Sequence, residues 1–172
     1  MTPERLLLVR HAMPEAVAQV AARDWRLSAQ GRAAARSLRL PADALLVASD
    51  EPKAAQTLHE ATGGTPVLVD AGFGEVRRPH EWVPDHRERA RAYVDGVQHD
   101  GWEPRAAVVA RFDAAIARHA TPGRTLVVGT HGMAATAWLA ARTAIEPGPF
   151  WAALRFPDIV EIVAGRIVRP AG

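Results

Sequence analysis

No cysteine occurs among the 172 residues, which excludes disulfides, thiolate nucleophiles and thiolate metal sites. Lysine is almost as scarce: Lys53 is the only one, and every other basic residue is an arginine. Aromatic residues make up 6% of the chain, and no basic run interleaved with aromatics occurs, so nucleic-acid binding is not expected. No apolar stretch is long enough to cross a bilayer, so no membrane association is expected either. The first residues, Met1-Thr2-Pro3-Glu4-Arg5, lack the layout of a signal peptide, because Leu6 to Val9 is too short for its apolar core; a cytoplasmic location is the expectation. Charge of one sign is also missing: 21 Lys+Arg against 19 Asp+Glu leaves a formal net charge of +2, and the pI of about 9.9 reflects arginines that do not titrate.

What is present is ordinary for a globular chain, with 48% hydrophobic and 23% charged residues, and the length suits one domain with a sizeable core. Short apolar runs at Leu6-Leu7-Leu8-Val9, Ala44-Leu45-Leu46-Val47-Ala48 and Leu126-Val127-Val128 read as strands buried on both faces. Residues 66–69, 152–156 and 159–163 read as further strands, with Gly165 turning into Ile167-Val168. Helices are expected over 28–38 with Ser28 as N-cap, from Asp50-Glu51-Pro52 to the breaker Gly63-Gly64, and over 86–97, 104–119 and 132–142. Residues 70–85 are rich in glycine, proline and charge and read as a long surface loop. Strands alternating with helices predict a single three-layer α/β/α domain over 1–172 with a mainly parallel sheet, and 70–103 as the region able to act as a lid.

In an open parallel sheet, ligands bind beyond the carboxyl ends of the strands. The residues that follow the apolar runs there are Arg10-His11, Ser49-Asp50 with Lys53 one turn on, and Thr130-His131. Two imidazoles, a guanidinium and an ammonium at one sheet edge suit a phosphoryl group, because the cations neutralise its charge and a neutral imidazole can attack phosphorus. Arg-His-Ala also occurs at Arg118-His119-Ala120, at a helix end before Thr121-Pro122-Gly123, where cations favour the helix dipole; there the tripeptide is structural. Its position after a buried strand, not the tripeptide itself, carries the information.

Leu7-Leu8-Val9-Arg10-His11-Ala12, Ser49 to Thr57, Phe73-Gly74-Glu75-Val76 and Val127 to Gly132, in this order, resemble the motifs of the histidine phosphatase superfamily, which includes phosphoglycerate mutases and bacterial phosphohistidine phosphatases. The resemblance covers nearly the whole chain and implies a phosphoglycerate mutase-like fold. It implies His11 as the nucleophile of a phosphohistidine intermediate, Arg10 and Lys53 as holders of the nonbridging oxygens, and His131 as a donor to them. Backbone N–H groups at the helix start after His131 would add anion affinity. Glu75 would be the proton donor, with Glu81 in the same loop as its rival. The implied chemistry needs no cofactor, and no histidine pair has the spacing of a helical metal site. Two positions depart from the pattern: Ala12 stands where many members have glycine, and Lys53 where an arginine is expected. Lysine keeps the charge and loses the planar, bidentate grip. A solvated surface lysine is the alternative for that residue.

The implied activity is hydrolysis of phosphomonoesters or phosphorylated side chains, so the expected partner is a phosphorylated small molecule or phosphoprotein. Mutase-type transfer and phospholigand binding without catalysis are the alternatives. Arg77, Arg78, His80, Arg87 and Trp82 lie in the region that would choose the substrate.

Overall fold

The computed structural model describes residues 3–80 and 83–169; Glu81 and Trp82 lie outside the described residues. Six strands form one mixed sheet: β1 (Arg5–Arg10), β2 (Leu45–Ala48), β3 (Leu68–Val69), β4 (Leu126–Thr130), β5 (Asp158–Val163) and β6 (Arg166–Arg169), in the spatial order β3-β2-β4-β1-β5-β6. The pairs β1/β4, β2/β4 and β2/β3 are parallel, whereas β1/β5 and β5/β6 are antiparallel. Among the described residues six α-helices accompany them: α1 (Ala29–Arg36), α2 (Pro52–Thr62), α3 (His86–Val94), α4 (Arg105–His119), α5 (Gly132–Ala140) and α6 (Pro147–Ala153).

The period-2 alternation of the central strands divides the interior into two apolar clusters. Leu6 and Leu8 of β1, Leu126 and Val128 of β4 and Val160 and Ile162 of β5 join side chains of α3, α4, α5 and α6 on one face. Leu7 and Val9, Val127 and Ile159 point the other way and meet Ala54 and Leu58 of α2. Both faces are therefore covered, which is why these strands read as unbroken apolar runs. Each fully buried Leu or Val adds about 1.5–3 kcal/mol of transfer free energy. Helix α5 is buried from Met133 to Leu139, as its apolar composition on every side requires.

Local signals account for the helix ends. Ser28 Oγ accepts the Gly31 N–H at 3.0 Å, capping α1, and Gly63 closes α2 at φ 66°. Gly31 admits no side chain, since a Cβ there would stand 2.1 Å from the Met13 carbonyl oxygen. That close approach seats α1 on the segment leaving His11.

Two expectations are corrected. Residues 152–156 are not a strand: α6 runs from Pro147 to Ala153, started by a proline that suits a first helical turn. Residues 70–85 are not wholly surface either. A 3-10 turn at Ala71–Phe73 buries Phe73, and Val76 is buried as well; both join the core above β4. The strand expected over 66–69 shortens to Leu68–Val69.

Candidate active site

The register aligns the carboxyl ends of the parallel strands, with Arg10 opposite Thr130 and Ala48 opposite Gly129. The residues that follow each strand, His11, Ser49 and His131, therefore emerge side by side. Antiparallel pairing of Arg10 with Asp158 brings the start of β5 to the same edge, and with it Leu154 and Phe156.

His11 and His131 are buried, with ring centroids 5.1 Å apart. The Nδ1 of His11 lies 2.7 Å from the Ala12 carbonyl oxygen, which only accepts; Nδ1 therefore carries the proton, and Nε2 is left with a lone pair. The Ala12 N–H in turn donates to Thr57 Oγ1 at 2.9 Å, so α2 fixes the turn that carries His11. The Nε2 of His131 meets Ser49 Oγ at 2.7 Å, and that hydroxyl oxygen already accepts the Glu51 N–H at 3.2 Å. Where that hydroxyl donates to Nε2, the proton of neutral His131 lies on Nδ1. Among the described residues, His131 Nδ1 and Arg10 Nε are buried side-chain atoms without a hydrogen-bond partner.

Both imidazoles are held neutral. Burial lowers the His11 pKa well below 6.5, with the neighbouring His131, Lys53 and Arg10 acting in the same direction. Burial is also the largest cause for His131, followed by the charges of Lys53, Arg78, Arg111 and Arg10. Arg10 packs its guanidinium 3.5 Å from the Phe156 ring centroid and donates to the Leu154 carbonyl at 2.7 Å. Burial lowers its pKa to about 10, so it stays cationic at neutral pH. Gly132 leaves room for it: a Cβ there would lie 3.2 Å from Arg10 Nε.

Lys53 is buried, which removes the surface-lysine alternative. Its Nζ donates to Glu51 Oε2 at 2.6 Å and to the Ala22 carbonyl at 2.7 Å. Glu75 sits on the start of α5: Oε1 accepts from Ala134 N at 2.8 Å and Val76 N at 2.9 Å, and Oε2 from Met133 N at 3.2 Å. The expectation that these helix N–H groups lie open to an anion is thereby corrected, because the Glu75 carboxyl group occupies two of them.

Arg111 carries no signal in the sequence, yet it supports the site. It donates to the carbonyls of Gly72, Gly74 and Glu75 and forms a bidentate pair with Glu103, thus clamping the loop that carries Glu75. Of the residues expected at the pocket mouth, Arg78 lies close enough for its charge to act on His131, and Arg87 acts on Arg10. His80 is exposed. The second Arg-His-Ala is structural, as expected: Arg118 and His119 both bind Asp70, which caps the turn at Ala71.

An α/β sheet edge that gathers two neutral imidazoles, an arginine and a buried lysine suits the handling of phosphoryl groups. The family model of the histidine phosphatase superfamily (branch 1) matches residues 6–158, and the chain belongs to that superfamily. Solved structures agree on the fold. A mycobacterial glucosyl-3-phosphoglycerate phosphatase complexed with VO3 is 25% identical, with 92% of each chain covered and a TM-score of 0.66. TTHB049 from Thermus thermophilus is 22% identical, covering 97% of this chain and 98% of that one, with a TM-score of 0.70. A putative alpha-ribazole-5'-P phosphatase from Escherichia coli is 16% identical over 99% and 97%, with a TM-score of 0.66. No curated protein matches the chain. Among the described residues no helix is long and apolar enough to cross a membrane.

Proposed function

We propose that the chain is a metal-independent phosphatase that hydrolyses phosphomonoesters or phosphorylated side chains through a phosphohistidine at His11. The observation that carries this reading is the 2.7 Å contact between His11 Nδ1 and the Ala12 carbonyl oxygen. With Nδ1–H committed to the Ala12 carbonyl, the Nε2 lone pair is available for attack, and burial keeps the ring neutral.

Nε2 attacks phosphorus in line with the leaving oxygen. The N–P bond forms as the P–O bond breaks. Arg10 Nε–H and His131 Nδ1–H, buried atoms with no hydrogen-bond partner among the described residues, take the nonbridging oxygens together with the Lys53 ammonium. Glu75 Oε2, which carries only the 3.2 Å contact, gives its proton to the leaving oxygen. The resulting carboxylate then takes a proton from water as the water oxygen attacks phosphorus. The N–P bond breaks, inorganic phosphate leaves, and both side chains return to their starting state.

The region 70–103 is the part of the domain that selects the substrate, with the charges of Arg78 and Arg87 acting on His131 and Arg10. A cytoplasmic setting belongs to the same reading and rests on the sequence alone.

Turnover of an aryl phosphate tests the proposal. The wild-type chain is expected to release inorganic phosphate, to be inhibited by vanadate and to be indifferent to EDTA; His11→Ala is expected to be inactive. Undiminished turnover by His11→Ala overturns the assignment.

A further inference from the structure

Glu51 stands at the N-cap of α2, where a carboxylate ordinarily accepts a backbone N–H of the first turn, yet it makes no such bond. Its carboxylate turns into the site instead. Oε2 takes the Lys53 ammonium at 2.6 Å, Oε1 accepts the Glu75 N–H at 2.9 Å, and Oε1 also lies 3.6 Å from His131 Nε2. One buried anion thus binds the Lys53 ammonium and the Glu75 backbone and lies beside His131.

We propose that Glu51 is a positioning residue of the phosphatase site, holding the Lys53 ammonium and the Glu75 backbone in register and offsetting the lysine charge so that phosphate product can leave. The role presupposes the phosphohistidine chemistry proposed for His11. An ammonium on four rotatable bonds lacks the fixed fork of an arginine and needs outside partners to hold its direction. Glu51 and the Ala22 carbonyl supply them, both accepting from the same Nζ. Both side chains are almost completely buried, 6% exposed for Lys53 and 8% for Glu51, so the attraction between them is poorly screened and the field that Lys53 exerts on a bound anion is correspondingly reduced. The Glu75 N–H bond carries the same constraint to the loop whose carboxylate exchanges the proton.

Glu51→Gln keeps the size and the acceptor for Glu75 and removes the charge. With p-nitrophenyl phosphate, kcat is expected to fall at least tenfold. Calorimetric binding of inorganic phosphate is expected to tighten at least threefold, because Lys53 is no longer offset. A variant that merely loosened the fold would bind phosphate less tightly. Glu51→Asp keeps the charge and shortens the arm, so its kcat is expected to fall about tenfold with phosphate affinity within twofold of wild type. If Glu51→Gln does not fold, Glu51→Asp decides by these same values. A kcat within twofold of wild type in the variants, or weaker phosphate binding in Glu51→Gln, overturns the proposal. Failure of the wild-type chain to hydrolyse any aryl phosphate refutes the phosphatase reading instead, and the comparison of phosphate affinities then decides the role of Glu51.

Discussion

His11 and His131 meet with their ring planes tilted by 57° and their centroids 5.1 Å apart, and His131 makes His11 harder to protonate. Two imidazolium ions at that separation in a buried site would repel strongly, and burial acts on both rings in the same direction.

Stability is therefore expected to depend on pH in a defined sense. Both rings have folded-state pKa values well below the 6.5 of the unfolded chain. Below pH 6.5 the unfolded chain takes up protons that the folded chain does not, so stability is complete above that value and declines as the pH falls, by up to about 1.4 kcal/mol per pH unit for each ring. Urea unfolding between pH 5 and 8 measures the slope, and His131→Asn is expected to reduce it. The same shift predicts no loss of kcat/KM near pH 6.5 from protonation of the nucleophile.

Replacing Lys53 is expected to cost stability as well as activity. Lys53→Met leaves the Glu51 carboxylate buried without its cation, a loss of about 3–5 kcal/mol in urea unfolding. The accompanying rise in KM or fall in kcat is read on an aryl phosphate. Wild-type stability in this variant would mean that the ion pair is solvated in solution.

The central strands were legible because residues buried on both faces leave an unbroken apolar signature, as at Leu6 to Val9 and Leu126 to Val128. His11 and His131 followed from their place after those strands. Residues 152–156 form a short apolar run that fits either period, and the prolines at Pro147 and Pro149 are the signal for a helix start. Phe73 and Val76 are isolated apolar positions in a segment dominated by glycine, proline and charge, so nothing in the local pattern marks them as core. Glu51 and Arg111 acquire their roles only through contacts with segments distant in the chain. For Glu51 the one available signal was its position two residues before the single lysine.

Ser49→Ala removes the hydroxyl that hydrogen-bonds His131 Nε2 and so frees the proton to occupy either ring nitrogen. An unsatisfied buried acceptor costs about 1–3 kcal/mol, and a kcat reduction of about tenfold is expected at nearly unchanged KM. Steady-state kinetics check this, and Ser49→Thr, which retains the hydroxyl, is expected to recover most of the rate.

Arg111→Lys retains a positive charge but cannot supply the planar set of donors that reaches three carbonyls and Glu103 together. The Glu75 loop is expected to loosen, with faster amide exchange at Glu75 and Val76 and a reduced kcat. Exchange rates equal to those of the wild-type chain would remove Arg111 from the account.

The most direct measurement is phosphorus NMR, combined with mass-spectrometric mapping, of enzyme denatured rapidly in alkali during turnover, conditions under which a phosphoramidate survives. A single phosphoryl group on Nε2 of His11, lost in His11→Asn, is the predicted result. A phosphoryl group on another residue, or full turnover by His11→Asn, would contradict the account.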